Sequence, residues 1–174
     1  SGKSILGSGP MQFASLNISG SITTTSDLSI SSDLVVSGNY SASSGTTYFN
    51  GDSELDGDAS LFNINIADAS DLTMGNNAVL RIAGNSTMGT GSNFNTTDNR
   101  PNTVYYNGAG AQAIGLSSFS NLIVTNGSVK TAAIAFEVND NFTIASATTF
   151  DASAYSLTYY GNFRNQGAFT ASSS

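Results

Sequence analysis

Apolar residues come in short alternating bursts, and this constrains the fold more than any other feature of the chain. The sequence reads "SLNIS" at 15–19, "LVV" at 34–36, "NINI" at 63–66, "VLRI" at 79–82, "NLIVT" at 121–125 and "FTI" at 142–144. Alternation with period two, carried by β-branched and aromatic residues, predicts half-buried strands. Between the bursts sit clusters of Gly, Asn, Asp and Ser, residues that accept tight turns and left-handed backbone. No window of a dozen residues carries a helical stripe. The chain therefore reads as all-β.

Repetition decides between the all-β architectures. "TTYFNG" (46–51) returns as "TVYYNG" (103–108), and "LNISGS" (16–21) returns as "INIADAS" (64–70) and "LIVTNGS" (122–128). A second ending, "LVVSGNYS" (34–41), recurs as "LRIAGNST" (80–87), "FEVNDNFT" (136–143) and "LTYYGNFR" (157–164). These phrases divide one continuous segment, 1–174, into units of approximately 4–45, 46–102 and 103–174, with loose spacing. Strands this short suit a right-handed parallel β-helix, a β-solenoid, better than β-sandwich modules, whose strands run to five or six residues. The β-sandwich stays as the alternative. In a solenoid the inner face is Leu16, Ile18, Leu34, Val36, Ile64, Ile66, Leu80, Ile82, Leu122, Val124, Phe136 and Val138. Asn39, Asn85 and Asn162, each following a Gly, fit corners where polar side chains stack in ladders along the axis. Both ends read as cut, with "ASSS" closing the chain and no capping helix, so further coils or a partner are expected over the open edges.

Composition narrows the function classes. Ser, Thr, Asn and Gly make up nearly half of the 174 residues, yet the 39% hydrophobic content separates the chain from disordered segments. Twelve carboxylates oppose five basic residues, and Lys3, Arg81, Arg100, Lys130 and Arg164 are scattered singly. Nucleic-acid binding and docking on anionic lipid both need clustered cations, so neither is expected. No apolar run reaches the roughly 20 residues of a membrane helix, and "SGKSILGSGP" lacks the apolar core of a signal peptide.

The chain has no His and no Cys, which removes Ser-His-Asp and Cys-His nucleophilic sites and His- or Cys-bound metals. An acid–base pair of carboxylates would need two facing one groove. Asp27 with Asp33, or Asp68 with Asp71, are the nominees, but each sits in turn-like sequence and reads better as a corner residue. An enzyme is not expected, and neither is an organic cofactor. The sharpest local motif is "GDSELDGDAS" (51–60). Asp52, Glu54, Asp56 and Asp58, with Gly57 at the sixth position, match the opening of a calcium loop. The twelfth position, a bidentate Glu in such loops, is Asn63, so an acidic surface segment is the competing reading. The aromatic pairs Tyr48–Phe49, Tyr105–Tyr106 and Tyr159–Tyr160 should each send one ring inward and one outward. An outer aromatic ladder could stack on sugars, or pack against the next coil. Thr runs at 23–25, 46–47, 96–97 and 148–149 keep no regular coil spacing, which argues against an ice-binding array.

The segment from Thr103 to Ser174 resembles repeat units of very large secreted surface proteins of gliding and related bacteria. The resemblance runs through Asn107–Gly108, Gln112, Ile114, Phe119, Asn121–Leu122, Asp140–Asn141, Gly161–Asn162 and Phe169. The middle unit is looser, with Glu54 near the Gln position, and the first keeps only the second half of the pattern. The resemblance implies β-helical stalks or adhesins, often exported by the type IX route, and hence an extracellular, cell-surface, structural or adhesive role. The partners it implies are neighbouring repeats of the same longer chain, with surface glycans or further copies of the chain beyond them. The alternative function is a carbohydrate-binding module or a β-helical polysaccharide-active enzyme.

Overall fold

A computed structural model describes residues 3–5 and 10–171. Ser172–Ser174 of the closing "ASSS", and positions 1–2 and 6–9 of the opening stretch, lie outside the described residues. The chain is a β-solenoid of about eight turns, without helix among the described residues. Every strand pairing is parallel.

Each coil contributes three short strand segments and so has three faces. Face 1 begins with Met11–Phe13, Leu28–Ile30, Thr46–Phe49 and Asn63–Ile66, each lying on the one before. Face 2 begins with Leu16–Ile18 and positions 34–36, and face 3 with Lys3–Ile5, Ser21–Thr24 and positions 39–42. Faces 2 and 3 are joined by strands that run through the corner, such as Leu34–Ala42, Ser53–Leu61 and Phe136–Ile144. Glycine makes that corner passable. Gly57 has φ +85°, and a Cβ there would collide with the Val36 carbonyl oxygen one coil away.

The alternation works as the sequence predicts. All twelve expected inner positions face the core, eleven buried and Leu16 partly so. The rungs stack about 4.8 Å apart, so each inner residue packs on its counterpart above and below. From the middle of the chain onward this becomes an aromatic spine. Phe94, Phe119 and Phe136 follow at centroid distances of 6.1 and 5.3 Å, and Phe136, Phe150 and Phe142 at 6.0 and 5.1 Å, all edge-to-face. That geometry sets positive ring edges against negative ring faces.

The coil is the structural period, and it places the repeated phrases in different settings. "TTYF" (46–49) lies on face 1, while "TVYY" (103–106) lies on face 3. Their likeness records a shared local rule, a strand followed by an Asn-Gly corner. Coil length varies: Ile22 lies under Tyr40 eighteen residues on, but Leu80 lies under Val104 only after 24. Most of the excess is an insertion at 96–102.

Candidate functional site

The corners show what the acidic and amide residues do. Asp27 Oδ1 accepts the Thr46 backbone N–H at 2.8 Å, Asp33 Oδ1 that of Glu54 at 3.2 Å, and Asp68 Oδ1 that of Thr90 at 2.7 Å. Asn63 and Asn85 do the same for Asn85 and Ala113, both at 2.8 Å. Each bond runs from one coil to the next and satisfies a donor at a strand's entry that the ladder would leave open. Asp27, Asp33 and Asp68, nominated as halves of catalytic pairs, therefore sit at corners as coil-to-coil ties.

Asp52, Glu54, Asp56 and Asp58 lie along or beside the strand Ser53–Leu61, which turns through the corner at Gly57, so that Asp58 lies past the corner from the other three. Ser53 and Leu55 point inward, and Glu54 and Asp56 outward. Asp52 Oδ1 accepts the Asp71 N–H at 3.2 Å, and Asp58 pairs with Arg81 at 3.6 Å. Among the described residues no three acidic side chains converge as a metal-ligand group.

In the aromatic pairs Phe49 and Tyr106 are fully buried, while Tyr48 and Tyr105 face out. The outer rings do not form a ladder. Tyr48 lies between Ser29 and Asn65 on face 1, and Tyr105 between Arg81 and Ile123 on face 3. Arg81 sits over the Tyr105 ring, 5.4 Å from its centroid, a cation–π contact.

The most developed surface site lies under the 96–102 insertion, at the corner between faces 2 and 3. Asn95 Oδ1 accepts the Thr97 N–H at 3.0 Å, and Asn102, fully buried, donates to the Thr96 and Asn99 carbonyls at 3.0 and 3.2 Å. Asn76 ties the insertion to the coil below through the Arg100 carbonyl at 2.7 Å. So anchored, the loop carries Arg100 towards Asp140, with Nη1 3.5 Å from Oδ1. The buried Ser120 hydroxyl holds the other carboxylate oxygen at 2.6 Å.

Beside this pair runs an asparagine ladder. Asn121 donates to the Asn102 carbonyl at 2.9 Å, Asn141 to Asn121 Oδ1 at 2.7 Å, and Asn162 to Asn141 Oδ1 at 3.1 Å. Together they line an open cleft of about 350 Å3, flanked by Pro101, Asn121, Asn139, Asp140, Asn141 and Asn162. Sequence reasoning anticipated asparagine ladders but did not assemble this site. The available signal was the wider spacing of the later repeats, together with an isolated Arg-Pro at 100–101.

A second polar cluster lies inside the coil, where the face 1 ladder breaks between Ser86–Met88 and Gln112–Ile114. Side chains replace backbone bonds there. Ser86 Oγ accepts the Gly115 N–H at 2.7 Å and lies 2.5 Å from the Tyr106 hydroxyl. Gln112 accepts the Gly108 N–H at 2.8 Å and donates to the Ile82 carbonyl at 2.9 Å. Lys130, stacked on Gln112 and without exposed surface, donates to the Gly108 and Gly110 carbonyls at 2.5 and 2.9 Å. Burial lowers the Lys130 pKa. Burial raises that of Tyr106, against the opposing effect of its Ser86 bond. All the acceptors around Lys130 are neutral, so the cluster pins the glycine-rich 108–110 corner. Gln112 and Gly108 are two of the residues that carry the family resemblance.

The last described coil is open. Phe142 and Phe150 are 3% and 0% exposed, yet Phe163 and Phe169, which stack on them, are 40% and 43% exposed. With Tyr159 and Leu157 they line an apolar hollow of about 300 Å3.

No family model matches the chain, and no curated protein or solved structure matches it.

Proposed function

We propose that this chain is a structural and adhesive segment of a large extracellular surface protein, serving as part of a stalk. The observation that carries this reading is the solenoid itself, about eight turns of parallel rungs stacked in one direction. The coil-to-coil ties at the corners further support a load-bearing role, because they spend the conspicuous carboxylates on holding one coil to the next. The resemblance of Thr103–Ser174 to repeats of bacterial surface proteins points to the cell surface as the location and to a non-enzymatic role.

Electron microscopy of the full-length protein tests the proposal. Eight turns at about 4.8 Å each give a rod about 4 nm long for this segment, forming part of a longer fibre. A compact particle without such a rod overturns the stalk. Protease treatment of intact cells should remove the segment, and full protection overturns the surface location.

A further inference from the structure

We propose that the cleft under the 96–102 insertion is a saccharide subsite that takes a neutral, polyhydroxylated ligand. This deepens the adhesive half of the proposed function and rests on it.

The first argument is placement. In solenoids, departures from the coil period map to loops on one face, often the binding face. The 24-residue step from Leu80 to Val104 brings Pro101 to one side of the cleft and Arg100 to within 3.5 Å of Asp140.

The second argument is preorganisation. Asp140 is fixed by Ser120 Oγ at 2.6 Å and by Arg100 at 3.5 Å, and Asn139 donates to the Phe119 carbonyl at 3.3 Å. Each ladder amide spends one N–H on its neighbour. A side-chain amide has two N–H donors, so every rung retains one for a ligand. These donors recur with the strand spacing of about 4.8 Å beside a carboxylate that accepts from hydroxyls. The cleft opens widely to solvent and its lining is polar, which suits a glycan lying on the surface rather than a ligand that must be enclosed.

The third argument is charge. Arg100 and Asp140 offset each other, so an ionic ligand gains little from either. A divalent cation would have to compete with the guanidinium and with amide oxygens that already accept ladder bonds. An anion would meet Asp140 within a chain of net charge −7. A neutral ligand rich in hydroxyls loses nothing on either count. The cleft has no aromatic platform, so the expected affinity is on the order of millimolar.

The test is an NMR titration of 15N-labelled protein with xylohexaose, cellohexaose and mannohexaose, each to about 10 mM. The expected result is a saturable shift of the Asn121, Asn141 and Asn162 side-chain amides with at least one of them. Asp140→Ala should weaken binding about tenfold, by loss of a charged acceptor. Asn162→Ala, on the exposed last rung, should weaken it while leaving the coils beneath undisturbed. The proposal is overturned if none of the three glycans shifts these amides, if the shifts map to another face, or if calcium chloride alone shifts them. The fibre seen by microscopy does not depend on this outcome, so failure of the subsite and failure of the stalk are distinguishable.

Discussion

Truncating Phe119 to Ala should divide the solenoid in two. Phe119 is fully buried in the second half of the chain and touches Phe94, Tyr106 and Phe136 edge-to-face at 6.1, 6.4 and 5.3 Å. It thus ties its own coil to the coil below and the coil above. At that point the ladders are weakest, because the face 1 sheet breaks between Ser86–Met88 and Gln112–Ile114. Removing a buried Phe side chain costs about 3–5 kcal/mol in lost transfer energy and residual cavity. For a chain of this size, each kcal/mol lowers Tm by roughly 2–4 °C, so a drop of about 6–20 °C is expected. Solenoid stability is a sum of coil and nearest-neighbour terms, so the loss falls on the interfaces around Phe119. The transition should then separate into two steps. Hydrogen exchange locates them: amides of 121–124 and 141–144 should lose protection at lower urea than those of 63–66 and 79–82. Phe119→Leu, which keeps most of the volume, should cost under about 1.5 kcal/mol. A single transition displaced by less than about 1 kcal/mol in the Ala variant would refute the account of the spine as the coupling element.

Lys130→Met should abolish a rise in stability with pH. Between the lowered folded pKa of Lys130 and the unfolded value near 10.4, the unfolded chain binds more protons, so raising the pH favours the folded state. Tyr40, pushed up to about 12 by burial, titrates alike in both proteins and cancels. Urea midpoints measured from neutral to alkaline pH should show wild type gaining on the variant, and a pH-independent difference rules this out. Gly57→Ala should cost about 2–4 kcal/mol from its positive φ and the contact with the Val36 carbonyl. Gly20→Ala, where a Cβ meets nothing, should stay within about 1 kcal/mol of wild type. Thermal melts that rank the two glycines equally contradict the corner argument. Millimolar calcium should leave Tm unchanged, because Glu54 and Asp56 point outward before the Gly57 corner while Asp58 lies past it, paired with Arg81. A calcium-dependent rise lost in Asp56→Ala would reinstate a cation site there.

The core was legible in the sequence because alternation is a local property. Leu34 and Val36, or Leu122 and Val124, point inward wherever their coil falls in the stack. The phase of the repeats was less so, because every face uses the same words. A strand followed by Asn-Gly reads alike at Asn50–Gly51 and at Asn107–Gly108, although one leaves face 1 and the other face 3. The acidic stretch carried a similar ambiguity. Acidic residues at alternate positions describe the ligands of a loop and equally the outward half of a strand. Ser53 and Leu55 between them, both buried, mark the strand. The cleft was invisible for another reason. Arg100 and Asp140 are forty positions apart, and they meet only because two coils advance the chain past the insertion. Such proximity is a product of stacking, which no single stretch of sequence records.

The parallel stacking has a mechanical consequence. The ladder bonds, the aspartate ties and the asparagine ladder all point along the solenoid axis. Tension applied to the two ends of the chain therefore falls first on the bonds of the outermost coil, which peels before the next is strained. Each released coil of about 20 residues extends to roughly 65 Å from a rung of about 4.8 Å. A stalk made of such coils would give way in steps, lengthening under a pull and rewinding on the coil that still holds.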